Sequence, residues 1–181
     1  MKHIILFVFA FGLIITTNAG LWRYDIGDTV CFTSLDPYRI KISGRTKHFI
    51  NIFGEELMVG NTDMAITKVC NKHNVEIENY TVGPIFPDSP GKGAHELSIE
   101  FKTNPRDIEQ FSIDLDTELQ LLNSDYKAKR QNNIALQLLK LNVVENGTFM
   151  KWMERRGKLG AQNKVPRLSQ KRNYLAALLS M

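Results

Sequence analysis

Three short stretches of the chain contain polar residues whose types and spacing could do chemistry. Tyr24–Asp28 (YDIGD) places a carboxylate directly after a glycine, Gly44–Lys47 (GRTK) places two cations beside a glycine, and Gln162–Arg167 (QNKVPR) adds two more cations. A carboxylate only accepts hydrogen bonds and suits vicinal hydroxyls, whereas Lys and Arg bind phosphates. Each stretch also fits an ordinary surface turn or basic tail, so residue types alone leave both interpretations open.

The C-terminal segment is strongly basic. From Lys151 to Met181 it has eight Lys or Arg residues against one acid, Glu154, a local net charge of +7, while the whole chain carries +4. Such a patch attracts phosphates on a nucleotide, a nucleic acid or a membrane surface, and it also fits a solvated helical face. No nucleic-acid partner is expected, because the strand-like stretch 92–101 lacks stacking aromatics at the positions that need them.

Several common kinds of site are absent from the sequence. Cys31 and Cys70 lie far apart, the four histidines show no metal-ligand spacing, and a structural metal site is not predicted. The stretch Pro90–His95 lacks the spacing of a phosphate-binding P-loop, and no GxSxG motif is present. These absences exclude metal-based, P-loop and serine-hydrolase chemistry as predictions from this sequence.

The N-terminal apolar run can be interpreted in two ways. Ile4–Ile15 has 12 residues, too few for the roughly 20 that span a bilayer, so no membrane partner is expected. Small residues at Thr17–Ala19 would allow a secretory signal to end at Ala19, in which case the sequon at Asn79–Thr81 would matter. The run also fits a buried strand.

Periodicity then indicates the elements that must position these residues. Strands are predicted at 38–42, 48–53, 75–82, 95–102 and 139–144; helices are predicted at 61–73, from Asn104 to Leu122, at 148–155 and at 171–179. This order predicts an α+β fold over residues 47–181, a small mixed or antiparallel sheet with helices on one face. Residues 13–46 are expected to be strands from the edge of a larger domain, ending in a junction, and residues 1–12 a neo-N-terminus or signal-like run.

Three stretches in the right order, "TTNAGLWRYDIGDTVCFTS", "SGRTKHFINIFGEEL" and "GKLGAQNKVPRL", resemble the C-terminal third of bacterial members of the Gretchen Hagen auxin-responsive promoter family. The resemblance covers residues 13 to 181. It implies membership of the acyl-adenylate-forming superfamily, whose plant relatives in this family are acyl acid amido synthetases. It also implies that Ala19 is an internal position, and that this chain is a truncated C-terminal piece lacking the large N-terminal domain.

The resemblance assigns roles residue by residue. Asp28 would hold the ribose hydroxyls of ATP and Arg45 would contact the nucleotide. Lys47 would be the hinge about which a mobile C-terminal domain swings. Lys164 would bridge the acyl carboxylate and the α-phosphate during adenylation, with Arg167 supporting the same phosphates. Asp25 stands where the superfamily motif has arginine, so its role does not carry over.

The expected function is therefore that of a C-terminal fragment of an ATP-dependent acid ligase, inactive alone and cytoplasmic. In the whole enzyme the partners would be a carboxylic acid and an amine or thiol acceptor, with ATP as cofactor and magnesium by resemblance only. The alternative is a secreted small α+β binding protein that begins at Gly20.

Overall fold

The computed structural model describes residues 11–45, 49–87, 92–131, 135–160 and 163–181. The chain divides into two compact units, Met1–His48 and Phe49–Met181. None of the helices within the described residues combines the length and the apolar character needed to cross a bilayer.

The first unit is a three-stranded antiparallel sheet in the order β1-β2-β3, formed by β1 (Phe11–Ile15), β2 (Tyr24–Leu35) and β3 (Tyr38–Arg45). The β2–β3 hairpin pairs Leu35 with Tyr38 at its turn and Asp28 with Arg45 at its far end. Large apolar side chains along this hairpin are exposed, including Leu35 at 64% and Ile42 at 68%. The sheet therefore presents apolar surface that its own strands do not cover.

The second unit begins with a short pair, β4 (Phe49–Ile50) and β5 (Leu57–Met58), where a longer strand over 48–53 is expected. The Glu55 carboxylate explains the difference, because it accepts the backbone N–H groups of Ile52 and Phe53, each at 2.8 Å. The Asn51 side chain likewise accepts the Gly54 N–H. Backbone donors that would extend the strand are thus used to close a turn.

The main sheet has the order β6-β7-β8, with β6 (Ile77–Ile85) antiparallel to β7 (Ala94–Phe101) and β8 (Lys140–Val144) parallel to β7. The helices are α1 (Val59–His73), α2 (Ile108–Leu122), α3 (Ser124–Arg130), α4 (Thr148–Arg155) and α5 (Asn173–Leu179). Helix α2 begins after Asp107, whose carboxylate accepts the Gln110 N–H at 2.9 Å, three residues beyond the expected cap at Asn104.

Helices α1 and α2 cover one face of the sheet, as expected. Their apolar stripes pack on Leu97, Ile99 and Phe101 of β7 in the larger of the two hydrophobic clusters. Helices α4 and α5 add a layer on the opposite face, where Glu96 binds Arg172 and a Cβ on Gly83 would collide with Leu175. All eight residues of β7 are consequently buried. The α+β class is confirmed, with helices on both faces of the sheet rather than one.

Candidate functional site

The candidate site centres on the loop between α4 and α5. Lys164 lies in this loop and its side chain is exposed. Within the described part of the chain, no hydrogen bond or ion pair holds the Lys164 ammonium. An unpaired, solvated lysine keeps its three donors available for an anionic group. Gln162, which precedes it in the motif, lies outside the described residues.

Residues just after Lys164 are fastened to the edge of the sheet. The Thr81 hydroxyl donates to the Pro166 carbonyl at 2.7 Å. The Val82 N–H donates to the Arg167 carbonyl at 2.8 Å, and the Ser169 N–H donates to the Val82 carbonyl at 3.1 Å. Leu168 is 5% exposed and belongs to the main core. Residues 166–169 thus run alongside β6 like an additional short strand.

The Arg167 side chain lies over β6 as well. Its guanidinium carbon is 4.5 Å from the centroid of the Tyr80 ring, and Nη1 donates to the Asn79 side-chain oxygen at 3.3 Å and to the Tyr80 carbonyl at 3.2 Å. Asn79, Tyr80 and Thr81 therefore all contact the loop. In the sequence these three residues form a glycosylation sequon, and no local signal indicates that they face a segment more than 80 positions away.

Another arginine fixes the start of the loop, immediately after α4. The Arg156 guanidinium carbon lies between two aromatic rings, 4.4 Å from the centroid of Trp152 and 4.5 Å from that of Tyr174. A guanidinium stacked on aromatic faces gains cation–π energy. Since Tyr174 belongs to α5, this sandwich joins the two helices that flank the loop.

The space in front of the loop is open. A cleft of about 180 Å³ lies beside β6 and α4, and its lining includes Asn79, Phe149, Met153, Asn163 and Val165. The residues on either side of Lys164 thus border this cleft, while the residues that follow are packed against the sheet. Lys164 stands where a fixed backbone meets open solvent.

The other expected site residues lie in the first unit. Asp28 on β2 is half-buried and its Cα is the register partner of Arg45 on β3, so the hairpin brings these two positions together. Gly27 has φ 76°, which a glycine adopts without strain, and its N–H is accepted by Asp25 at 2.8 Å. Asp25 therefore has a local structural role in the turn before Asp28. Lys47, the expected hinge residue, lies outside the described residues.

The metal question has a limited answer. Within the described ranges, no group of three or more His, Cys, Asp or Glu side chains is arranged to hold a metal ion. Cys31 and Cys70 are both buried free thiols. Burial raises the pKa of the Cys70 thiol to about 11, so this cysteine remains protonated at neutral pH.

Comparison with solved structures defines the class of the fold. The chain superposes on GH3.15 acyl acid amido synthetase with a TM-score of 0.73 and 21% identity, covering 94% of this chain and 32% of that one. It also resembles 2-hydroxyisobutyryl-CoA ligase in the postadenylation state with 2-HIB-AMP, with a TM-score of 0.51, 15% identity, and coverage of 88% and 31%. The fold is that of the C-terminal region of acyl-adenylate-forming ligases.

Sequence comparison gives the family. Residues 60–173 match the GH3 family C-terminal domain and residues 10–45 match the GH3 family central domain. The chain belongs to the GH3 family, which confirms the family expected from the sequence. Ala19, the position of the alternative signal cleavage, lies inside the central-domain match.

Curated relatives include two enzymes of Arabidopsis thaliana. The chain is 30% identical over 168 residues to indole-3-acetic acid-amido synthetase GH3.10 and 28% identical over 165 residues to indole-3-acetic acid-amido synthetase GH3.3. Each match covers 86% of this chain, but only 27% and 28% of the respective relative. The chain thus spans about a quarter of the length of these relatives.

Proposed function

We propose that this chain supplies the C-terminal region of an ATP-dependent ligase that adenylates a carboxylic acid and passes the acyl group to an amine or a thiol. The observation that carries the proposal is Lys164, an exposed lysine on a loop whose following residues are fastened to the sheet. Family membership and the acyl-adenylate-forming fold support it. The printed activities of the relatives, acid-amido synthesis and CoA ligation, are the models for the second step.

The chemistry suits a lone lysine. A carboxylate oxygen attacks the α-phosphorus of ATP while the bond to the β-phosphate breaks, and pyrophosphate leaves with the electron pair. Negative charge concentrates around the α-phosphate as the two anionic reactants meet. The Lys164 ammonium would neutralise this charge when the small domain closes, which stabilises the transition state more than the bound substrates.

The first unit would hold the rest of the nucleotide. Asp28 would accept hydrogen bonds from both ribose hydroxyls, Arg45 would contact the nucleotide, and Lys47 would serve as the hinge between the two poses of the small domain. The acid pocket and phosphate loop would come from a domain beyond the matched region. Because half a cleft leaves the reactants unpositioned, the 181-residue chain alone should not release pyrophosphate with any acid.

A grafted enzyme tests the proposal. Residues 49–181 replace the C-terminal domain of a GH3 amido synthetase, and acid-dependent pyrophosphate release is measured for the graft and for its Lys164→Ala variant. We expect the variant to lose about a hundredfold in adenylation rate, about 3 kcal/mol, with the KM for ATP nearly unchanged. Acyl transfer from a preformed adenylate should change much less.

Lys151→Ala provides the matched control, because Lys151 is an exposed lysine on α4 in the same basic segment. Its adenylation rate should stay within twofold of the parent graft. If Lys164→Ala also stays within about threefold, or if a folded graft releases no pyrophosphate, the proposed role is wrong.

A further inference from the structure

Arg167 carries an inference that the family resemblance does not contain. From the sequence, Arg167 is expected to support the phosphates together with Lys164. In the structure its guanidinium face lies on the Tyr80 ring, and Nη1 makes hydrogen bonds to Asn79 and to the Tyr80 carbonyl. A stacked and hydrogen-bonded guanidinium is oriented by its neighbours rather than left to follow a ligand.

The surface on which Arg167 rests is itself fixed. Tyr80 is 2% exposed, and its hydroxyl donates to an Asp63 carboxylate oxygen at 2.5 Å and lies 3.0 Å from the Thr62 hydroxyl, both on α1. Burial and the hydrogen bond to Asp63 raise the pKa of Tyr80 well above its ordinary value, so the phenol stays neutral. The ring therefore joins α1, β6 and Arg167 in one connected set of contacts.

Backbone contacts extend this set to Lys164. The Arg167 carbonyl accepts the Val82 N–H, and Ser169 returns a hydrogen bond to the Val82 carbonyl. Lys164 stands three residues before Arg167, with Pro166, whose ring limits backbone rotation, between them. Freedom at Arg167 would be transmitted directly to the position of the Lys164 ammonium.

We propose that Arg167 is a positioning residue that holds the Lys164 loop on β6 through Tyr80 and Asn79, and that it does not bind the phosphates of ATP. Its effect on adenylation rests on the proposed function, whereas its effect on the loop does not. A misplaced ammonium loses transition-state stabilisation even when ATP binds normally. Arg167 would therefore act on the rate only through Lys164.

The anchoring is tested on the 181-residue chain by amide hydrogen exchange. Arg167→Met and Arg167→Lys both remove the planar guanidinium, and each should speed exchange of the Ser169 N–H at least tenfold while the amides of β7 keep their protection. Arg172→Lys is the control, because Arg172 follows the anchored segment and binds Glu96 rather than Tyr80. If both Arg167 variants exchange like the parent chain, the anchoring role is overturned.

The catalytic consequence is tested in the grafted enzyme with a double-mutant cycle. Arg167→Met and Arg167→Lys should each lower the kcat of adenylation about tenfold with the KM for ATP within twofold. In a Lys164→Ala background, Arg167→Met should have no further effect, because there is no ammonium left to position.

A phosphate-binding arginine would give a different pattern. Arg167→Met would raise the KM for ATP, Arg167→Lys would restore much of the affinity, and the losses from Lys164→Ala and Arg167→Met would multiply. That pattern overturns the proposal. An inactive parent graft would count against the proposed ligase function alone, since the exchange measurement still decides whether Arg167 anchors the loop.

Discussion

The two faces of strand β7 are built from opposite materials. On one face Leu97, Ile99 and Phe101 pack against α1 and α2, with the Phe101 and Phe111 rings edge to face at 5.2 Å. On the other face Glu96, Ser98 and Glu100 are no more than 1% exposed, although two of them are acids. One strand therefore supports a hydrophobic core and a buried polar layer at once.

Each acid of the polar face has specific partners. Glu96 accepts hydrogen bonds from Arg172 at 2.7 Å and Asn142 at 3.0 Å, and pairs with Lys140 at 3.1 Å. Glu100 accepts the backbone N–H groups of Gly147 at 2.7 Å and Phe149 at 3.0 Å, at the start of α4.

The difference shows how the two faces divide their roles. Apolar contacts are non-directional and roughly proportional to buried area, so α1 and α2 contribute stability above all. A buried carboxylate is tolerated only where donors reach it in the right directions, so the polar face determines where α4 and α5 can lie. Because these helices flank the Lys164 loop, the polar face positions the candidate site and the apolar face stabilises the domain.

The largest effect is expected on the apolar face. Ile99→Ala removes a fully buried side chain and leaves a cavity that the surrounding helices fill only partly, at a cost of about 3 kcal/mol in the free energy of unfolding. Urea denaturation followed by circular dichroism measures the loss. Ile113→Ala is the matched control, because this α2 residue is 46% exposed and its truncation should cost under about 1 kcal/mol. Equal losses would contradict the assignment of the core to this face.

A smaller and more local effect is expected from Glu100→Gln on the polar face. The amide keeps one acceptor oxygen where two N–H groups need one each, so a donor at the start of α4 is left unpaired, at a cost of about 2 kcal/mol. Trp152 fluorescence in a Trp22→Phe background reports the change at α4. The control, Glu109→Gln, lies at the exposed first turn of α2 and should cost about 0.5 kcal/mol or less. Comparable losses in the two variants would show that Glu100 does not hold α4.

The sequence could predict β7 but not its second helical layer. Alternation of Leu97, Ile99 and Phe101 with polar residues is typical of a strand with one face in water, and helices were accordingly expected on one face. The donors that satisfy Glu96 and Glu100 come from Lys140 onward, more than 40 residues along the chain, and local periodicity carries no information about them. Helix α4 was predicted with its observed bounds, yet its place in the fold was not.

Helix α3 is the element that the sequence did not predict. It has only seven residues, including three cations in its last turn. Its order comes from tertiary contacts: the Tyr126 hydroxyl donates to Asp116 at 2.6 Å, and Arg130 donates to both oxygens of the same carboxylate. Isolated helices of this length are marginal in water, so the propensity of the segment could not indicate the helix.

The candidate site shows the same division. Lys164 and Arg167 could be selected because their motif resembles that of a known family, and Asp28 and Arg45 for the same reason. The stacking of Arg167 on Tyr80 joins residues 87 positions apart and depends on the path of the loop along β6. Sequence reasoning could therefore identify the ammonium, but the residues that fix its position required the structure.

The smallest effect is expected from Lys140→Ala, which removes the most exposed partner of Glu96. The Lys140 side chain is 56% exposed, so its ion pair is screened by water and should contribute about 0.5 kcal/mol at pH 7. Burial alone would raise the pKa of Glu96, but hydrogen bonds from Arg172, Asn142 and Lys140 outweigh it and hold the pKa below the ordinary value of 4.5.

A depressed carboxylate pKa contributes stability above the pKa of the unfolded chain, and this stability is lost as the pH falls through the folded-state pKa. Removing Lys140 moves the folded pKa of Glu96 back toward 4.5, so the variant should be less stable than the parent at pH 7 and should approach it below that value. Urea denaturation at pH 7, 5 and 3.5 measures the trend, with Lys68→Ala as the control because its partner Glu118 is 26% exposed and already partly solvated. A Lys140→Ala penalty that stays constant over this range would mean that the lysine acts through packing of its stem, and that the charge of the polar face is balanced by Arg172 without it.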